Sequence, residues 1–164
     1  MAEKIRILVV GCGKMGTSHA KAYHQSDGFD IVGVVSRKPE TRQRLSTELG
    51  GVPEFDSVDQ ALNETTPAAV SINTYPDTHA EYALKAMDAG AHVFIEKPLA
   101  ETLEEAEAVV QKATEKRLKV VVGYILRHHP SWTRFIDLAR DLGKPLVMRM
   151  NLNQQSSGAG WRGH

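Results

Sequence analysis

Along the chain, unbroken apolar runs alternate with segments in which apolar residues recur every three or four positions. The runs lie at 5–10, 29–35, 68–72, 92–96 and 119–122, with a shorter piece around 52–55. Continuous hydrophobicity of this kind is what strands need when helices cover both faces of a parallel sheet. The segments between them carry helix punctuation. Ser57 with Gln60, Thr78 with Glu81 and Thr102 with Glu105 have the spacing of a capping box, in which a hydroxyl and an acid or amide satisfy one another's backbone N–H groups. Gly50, Gly90 and Gly143 stand where a left-handed residue would close a helix. In the helix opened by Thr102, the residues Leu103, Ala106, Val109, Val110 and Ala113 make one apolar stripe, leaving Glu104, Glu107, Lys112 and Glu115 as a solvated face. The β-α-β alternation predicts an α/β domain over 1–123, a doubly wound parallel sheet.

The pattern changes after Gly123. A helix is expected at 131–142, burying Trp132, Phe135, Ile136 and Ala139, and a strand within 146–153. There Leu146, Met148, Met150 and Leu152 alternate with Val147, Arg149, Asn151 and Asn153, the mark of a half-exposed sheet. Residues 124–164 thus read as the first helix and strand of an incomplete second α+β domain. A strand left with unpaired backbone groups beside an apolar strip is a template for another copy, so homo-oligomerisation through this segment is expected.

Composition narrows the function classes. At 164 residues the chain suits one full domain and falls short of two of ordinary size. Twenty basic residues balance twenty acidic ones, which removes the general electrostatic case for nucleic acid or an anionic membrane surface as a partner. No run approaches the ~20 apolar residues of a membrane span, and the run at 5–10 leads into a glycine loop, unlike the apolar core of a signal peptide. The lone Cys12 cannot build an internal disulfide framework, and a reducing, cytoplasmic setting is expected. No internal repeat or low-complexity tract interrupts the chain.

The first strand ends in Gly11-Cys12-Gly13-Lys14-Met15-Gly16 and a helix follows. Each glycine has its own reason in a dinucleotide bed: a tight turn, backbone approach to the pyrophosphate, and close packing of helix on strand. Helix N–H groups from Lys14 onward then face the anion. Cys12 reads as a small residue that fits the turn, and Lys14 as solvated. About twenty residues after the last glycine, a free ribose 2′-hydroxyl is usually met by an acid. Here Ser36-Arg37-Lys38 stands in its place, with no carboxylate to repel a 2′-phosphate and a planar guanidinium to grip one. NADP is therefore expected in preference to NAD; the alternative is that two basic residues merely begin a surface loop before Pro39.

The strand at 92–96 ends in Glu96-Lys97-Pro98, putting an ammonium group where open α/β sheets place their ligands. Hydride leaves a carbinol readily as its hydroxyl proton departs, and a nearby ammonium lowers the cost of the developing alkoxide. The alternative for Lys97 is an exposed lysine after a strand. The chain must also turn sharply there, and a cis peptide is expected between Lys97 and Pro98. Asn73-Thr74-Tyr75-Pro76-Asp77 follows the 68–72 strand and should pass the nicotinamide ribose, with backbone groups and Thr74 as contacts. His79, in the first turn of the next helix, fits capping or packing better than catalysis. His128 and His129 are adjacent and lack an accompanying acid or thiol cluster, so no metal site is expected.

The stretch from Ala86-Met87-Asp88-Ala89-Gly90 through Glu96-Lys97-Pro98-Leu99-Ala100 resembles the signature of the glucose–fructose oxidoreductase, inositol dehydrogenase and rhizopine-catabolism (Gfo/Idh/MocA) family. With Gly11, Gly13, Gly16, the turn from Pro76 to His79, and Arg127, the likeness runs through almost the whole chain. It implies a Rossmann-type domain using NAD or NADP to oxidise or reduce hydroxyl-bearing carbons of sugars, polyols and related small molecules. It also implies that Lys97 sits at the substrate end of the nicotinamide, that Glu96 and Pro98 shape the turn, that a histidine is common at His79, and that Arg127 lies near cofactor or substrate. Family members continue into a second domain bringing an aspartate and a proton-accepting histidine. Trp161-Arg162 resembles the lead-in to that domain's glycine-rich stretch, but the aspartate-to-histidine segment does not occur in these residues. Two readings follow: an oxidoreductase cofactor domain inactive alone, or a non-catalytic dinucleotide-binding module that senses or docks.

Overall fold

A computed structural model describes residues 3–144, 147 and 149. The chain divides into two compact units, the first ending at Tyr124 and the second starting at Ile125.

In the first unit, β1 (Ile5–Val10), β2 (Phe29–Val35), β3 (Glu54–Phe55), β4 (Ala69–Ile72), β5 (His92–Ile95) and β6 (Val120–Val122) form one sheet. Its order is β3-β2-β1-β4-β5-β6, every pairing is parallel, and the chain reverses direction of travel between β1 and β4. That reversal opens a crevice at the carboxyl ends of the two strands. The helices are α1 (Lys14–His24), α2 (Pro39–Glu48), α3 (Val58–Thr65), α4 (His79–Asp88) and α5 (Leu103–Lys116).

The unbroken apolar runs are explained by two cores. Ile7 and Val9 of β1 join Ala20, Leu45 and Leu49 on the α1–α2 side. Leu8 and Val10 face the opposite way, with Val70, Ile72, Val93 and Ile95, onto Val58, Leu62, Ala83, Met87 and Val109 of α3, α4 and α5. Each such fully buried aliphatic side chain contributes about 1.5–3 kcal/mol. A register shift between Ile7 and Leu8 is matched by Gly33, where a Cβ would come within 2.8 Å of the Phe55 ring.

The helix starts follow the sequence unevenly. Thr102 and Glu105 form the full capping box on α5. At α3, Ser57 accepts from the Gln60 N–H, but the Gln60 side chain turns to Glu64 instead of back. The box expected at Thr78 and Glu81 is absent. A 3-10 turn, Pro76–Thr78, runs straight into α4, so Thr78 already has near-helical backbone angles and cannot act as an extended cap. Its hydroxyl lies instead 2.7 Å from the Thr74 hydroxyl, and Glu81 pairs with Lys85. Helix stops at Gly50 and Gly90 have the left-handed angles their positions imply, φ +88° and +83°. The α5 stripe is narrower than expected: Val109 is buried, whereas Leu103 and Val110 are 68% and 57% exposed. The cause is position, since α5 lies against α4 at the flank of the sheet, whose last strand on that side, β6, has only three residues.

The second unit begins with a 3-10 turn, Ile125–Arg127, and continues into α6 (Pro130–Arg140). Pro130 at the first helical position loses nothing by lacking an N–H. Trp132 and Phe135 meet edge to face, yet no α6 residue is buried among the described residues, unlike the burial expected for Trp132, Phe135, Ile136 and Ala139. The strand expected at 146–153, its proposed self-association and Trp161-Arg162 lie outside the described residues, apart from Val147 and Arg149. No helix among the described residues is long and apolar enough to cross a membrane.

Candidate functional site at the carboxyl edge of the sheet

The sheet's hydrogen bonding outlasts its strands by one residue. Gly11 N–H donates to Val35 O at 2.8 Å, Asn73 N–H to Val10 O at 2.8 Å, and Glu96 N–H to Ile72 O at 2.9 Å. The first residue of each loop is thereby held in line across the edge. With strands about 4.8 Å apart, the residue after Glu96 stands about 10 Å from the end of β1.

At that end, Gly11 has φ +95°, and a Cβ there would lie 2.6 Å from Asn73 O. A Cβ on Gly16 would lie 1.7 Å from Gly11 O, so α1 can seat its third residue on the loop only because no side chain exists. Gly13 differs. It is the N-cap of α1, with φ −76°, and a Cβ there would meet nothing within 4 Å. The leading N–H groups of α1, at Lys14, Met15 and Gly16, precede the first intrahelical bond (Thr17 N–H to Gly13 O), and the first turn carries no acid. The result is an open, electropositive backbone cradle. Lys14 and Met15 are exposed beside it. Cys12 is 1% exposed and packs inward, and burial pushes its thiol up to about 11. It supplies backbone to the loop and no reactive group.

Two buried polar atoms near this seam have no hydrogen-bond partner, Thr17 Oγ1 and Asn73 Oδ1. The Asn73 amide nitrogen is occupied by the Ser71 carbonyl and hydroxyl, both at 3.0 Å. An unpartnered buried polar atom costs about 1–3 kcal/mol, a cost that a polar ligand reaching it would offset. Glycine cradle and orphaned acceptors together fit a dinucleotide.

At the end of β2, Ser36 belongs to the turn itself. Its hydroxyl is 3.0 Å from Thr41 Oγ1 and accepts from Lys38 N–H, and its carbonyl accepts from Arg42 at 3.0 Å. Arg37 and Lys38 are exposed and make no ion pair among the described residues. Arg42, absent from the sequence reading, braces this turn and reaches toward Glu54 at 3.7 Å.

At β4 and β5, Thr74 is partly buried, Tyr75 is 55% exposed and Pro76 opens the 3-10 turn. Lys97 is exposed, and the peptide joining it to Pro98 is cis, as expected. The Glu96 side chain is buried: one oxygen meets His19 Nε2 at 2.8 Å and the other accepts from Lys97 N–H at 3.2 Å. His79 is buried as well, with both ring nitrogens against protein carbonyls. Both of its ring nitrogens are taken up within the protein, and neither is free for a ligand.

Sequence reasoning missed His19 and Tyr23. They lie four apart on α1, where His19 tilts against Phe94 at 4.9 Å and Tyr23 donates to Ser71 at 3.2 Å. Burial pushes the Tyr23 phenol up. The available signal was their shared helix face one turn after Gly16. Arg127 lies in the second unit, where it ends the 3-10 turn. Among the described residues no cluster of acids, histidines or thiols could hold a metal ion.

Residues 5–124 match the model of an oxidoreductase family with an NAD-binding Rossmann fold, GFO_IDH_MocA. The chain belongs to this family. Among relatives, it is 38% identical over 127 residues to UDP-N-acetylglucosamine 3-dehydrogenase of Acidithiobacillus ferrooxidans, covering 77% of this chain and 39% of that one. Among solved structures, scyllo-inositol dehydrogenase from Lactobacillus casei, with bound NAD(H) and scyllo-inositol, superposes with a TM-score of 0.79 at 27% identity, covering 85% of this chain and 42% of that one. KijD10, a 3-ketoreductase from Actinomadura kijaniata in complex with TDP-benzene and NADP, gives 0.78 at 26% identity, covering 85% and 44%. The chain thus spans about two fifths of the length of these Gfo/Idh/MocA proteins.

Proposed function

We propose that this chain is the cofactor-binding part of an NADP-preferring oxidoreductase that transfers hydride to or from a hydroxyl-bearing carbon of a sugar, polyol or related compound. The observation that carries the reading is the open Gly13 cradle at the sheet's reversal point, with exposed Arg37 and Lys38 after the strand on one side and exposed Lys97 on the other. Gly11, Gly13 and Gly16 with the first N–H groups of α1 would hold the pyrophosphate. Arg37 would take the 2′-phosphate with a planar pair of N–H groups, and Lys38 would add charge. Thr74, Tyr75 and Pro76 would border the nicotinamide ribose.

The nicotinamide supplies the acceptor or donor of hydride. Lys97 would hold the substrate hydroxyl and stabilise its developing negative charge as a point charge, without removing the proton. Neither Glu96 nor His79 is available for that proton, because His19, Lys97 N–H and two carbonyls engage their polar atoms. Turnover is therefore proposed for the whole protein, with the proton acceptor contributed from beyond the first unit. The reducing, cytoplasmic setting belongs to the same proposal. The rival reading, a dinucleotide-binding module without turnover, draws on the same engaged side chains. It differs in one outcome: a polyol panel would yield no reduced cofactor with the whole protein.

Calorimetry of the 164-residue chain at matched salt tests the cofactor assignment. NADPH should bind at least about tenfold more tightly than NADH, and Arg37→Ala should remove most of that difference, in line with the ~1.5–3 kcal/mol of a hydrogen bond to a charged group. Equal affinities, or an Arg37→Ala chain that keeps the preference, would overturn it.

A further inference from the structure

His79 opens α4 and its side chain is 1% exposed. Its Nδ1 stands 2.6 Å from Pro98 O and its Nε2 stands 3.2 Å from Thr74 O. Carbonyl oxygens only accept and a neutral imidazole carries one N–H, so the shorter contact places that proton on Nδ1 as the donor to Pro98 O, while Nε2 is seated against Thr74 O without a hydrogen bond of its own. The two carbonyls belong to different loops. Thr74 is the second residue after β4, and Pro98 follows Lys97 after β5. The pairing of these strands ends where Glu96 N–H meets Ile72 O. Beyond it, among the described residues, no backbone-to-backbone hydrogen bond joins residues 73–78 to residues 97–102. The Nδ1–H bond to Pro98 O, made by a ring seated against Thr74, ties the two loops across the gap that the sheet leaves open.

We infer that His79 is a positioning residue: a rigid strut that sets the separation between the Thr74 loop and the Lys97–Pro98 turn, and so shapes the nicotinamide half of the site independently of the phosphate half. The inference rests on the cofactor assignment above and adds a division of labour to it. Gly13 and Arg37 sit on loops after β1 and β2, to which neither ring nitrogen of His79 reaches, and Asn73, on which Gly11 packs, is held by its own bond to Val10 O. Removing the strut should leave those loops in place and let the two loops after β4 and β5 drift apart.

The test uses the 164-residue chain and two ligands, NADPH and adenosine 2′,5′-bisphosphate, which carries the 2′-phosphate and lacks the nicotinamide half. His79→Ala should weaken NADPH about tenfold, equivalent to 1.4 kcal/mol, and leave the bisphosphate within about twofold. His79→Asn places an amide N–H near the Nδ1 position and should recover most of the NADPH affinity. A residue needed only for folding would depress both ligands together, and that result overturns the inference, as does an unchanged NADPH affinity. Should wild type bind neither ligand, the cofactor assignment falls and this inference with it. Because the alanine chain can fail to fold, a second arm uses wild type alone: the ring Nδ1 proton, followed by ¹H–¹⁵N spectroscopy, should exchange slowly and slow further with NADPH but not with the bisphosphate. Exchange at the rate of free imidazole, or equal slowing by both ligands, overturns it.

Discussion

Replacing Gly13 and Gly16 separately by alanine should split cofactor binding from folding, though only Lys14 and Met15 stand between the N-cap of α1 and the helix's third residue. At Gly16 the new methyl would sit 1.7 Å from Gly11 O, a backbone atom that no rotamer change can move aside. Restoring ordinary contact requires α1 and the loop to part by about 1.5 Å, and an overlap this deep against backbone belongs at the upper end of what overpacking costs, about 3 kcal/mol. Alanine returns about 1 kcal/mol of helix propensity over glycine, so the net loss is about 2 kcal/mol. For a chain of this size that lowers Tm by roughly 4–8 °C. At Gly13 the methyl meets nothing within 4 Å and φ is −76°, which alanine adopts freely. The fold should lose only about 0.5 kcal/mol, the difference between glycine and alanine at an N-cap. The same methyl would occupy the space through which a pyrophosphate reaches the N–H groups, and a clash of about 1–3 kcal/mol there weakens NADPH roughly ten- to hundredfold. Circular dichroism melts and calorimetric titration of both chains are the assays. A Gly16→Ala chain with wild-type Tm would mean that α1 does not rest on the Gly11 carbonyl. A Gly13→Ala chain with wild-type affinity would mean that the phosphate does not enter over Gly13.

Two further outcomes follow from local features. Cys12 should resist a maleimide at pH 8 at a rate set by unfolding. Because burial raises its thiol from 9.0 to about 11, the folded state holds the proton that the unfolded chain releases, so that contribution is intact below pH 9 and is lost as pH rises toward 11; rapid labelling of folded protein, or stability flat from pH 9 to 11, would contradict the buried placement. Thr102→Ala should cost about 1 kcal/mol, because it leaves the Glu105 N–H without its cap, whereas Glu81→Ala should stay within about 0.5 kcal/mol for want of a box at α4; urea melts that rank the two the other way would refute the assignment of caps.

What was legible in the sequence is what depends on nearest neighbours along the chain. The glycine loop, the strand ends before Gly11 and Glu96, and the Thr102–Glu105 box are set by residues within a few positions of one another. The Thr78 box failed for a local reason of its own, since Pro76 starts the helical winding early and uses up the capping position. The interior of the site was not legible, because it is made across the sheet. His19 meets Glu96 from 77 positions away, Tyr23 meets Ser71 from 48, and Gly16 of α1 closes on Gly11 and on the Asn73 side chain. No periodicity encodes such pairs. The exposed flank of α5 shows a second limit: a stripe on a helix states that one face is apolar, but not how far the sheet beneath it extends.

The ladder that continues one residue beyond β1, β4 and β5 also bears on how such a domain can be altered. Gly11, Ser36, Asn73 and Glu96 are fixed by the core's own hydrogen bonds, while the exposed Arg37 and Lys97 follow directly after such a position and the exposed Lys38 and Tyr75 one residue later. Redesign at those exposed positions exchanges chemical function on a platform whose shape is decided elsewhere. On the proposed assignment, cofactor choice and substrate chemistry would then be reprogrammed one loop at a time, with little debt to stability, so long as the glycines and the histidine strut beneath them are kept.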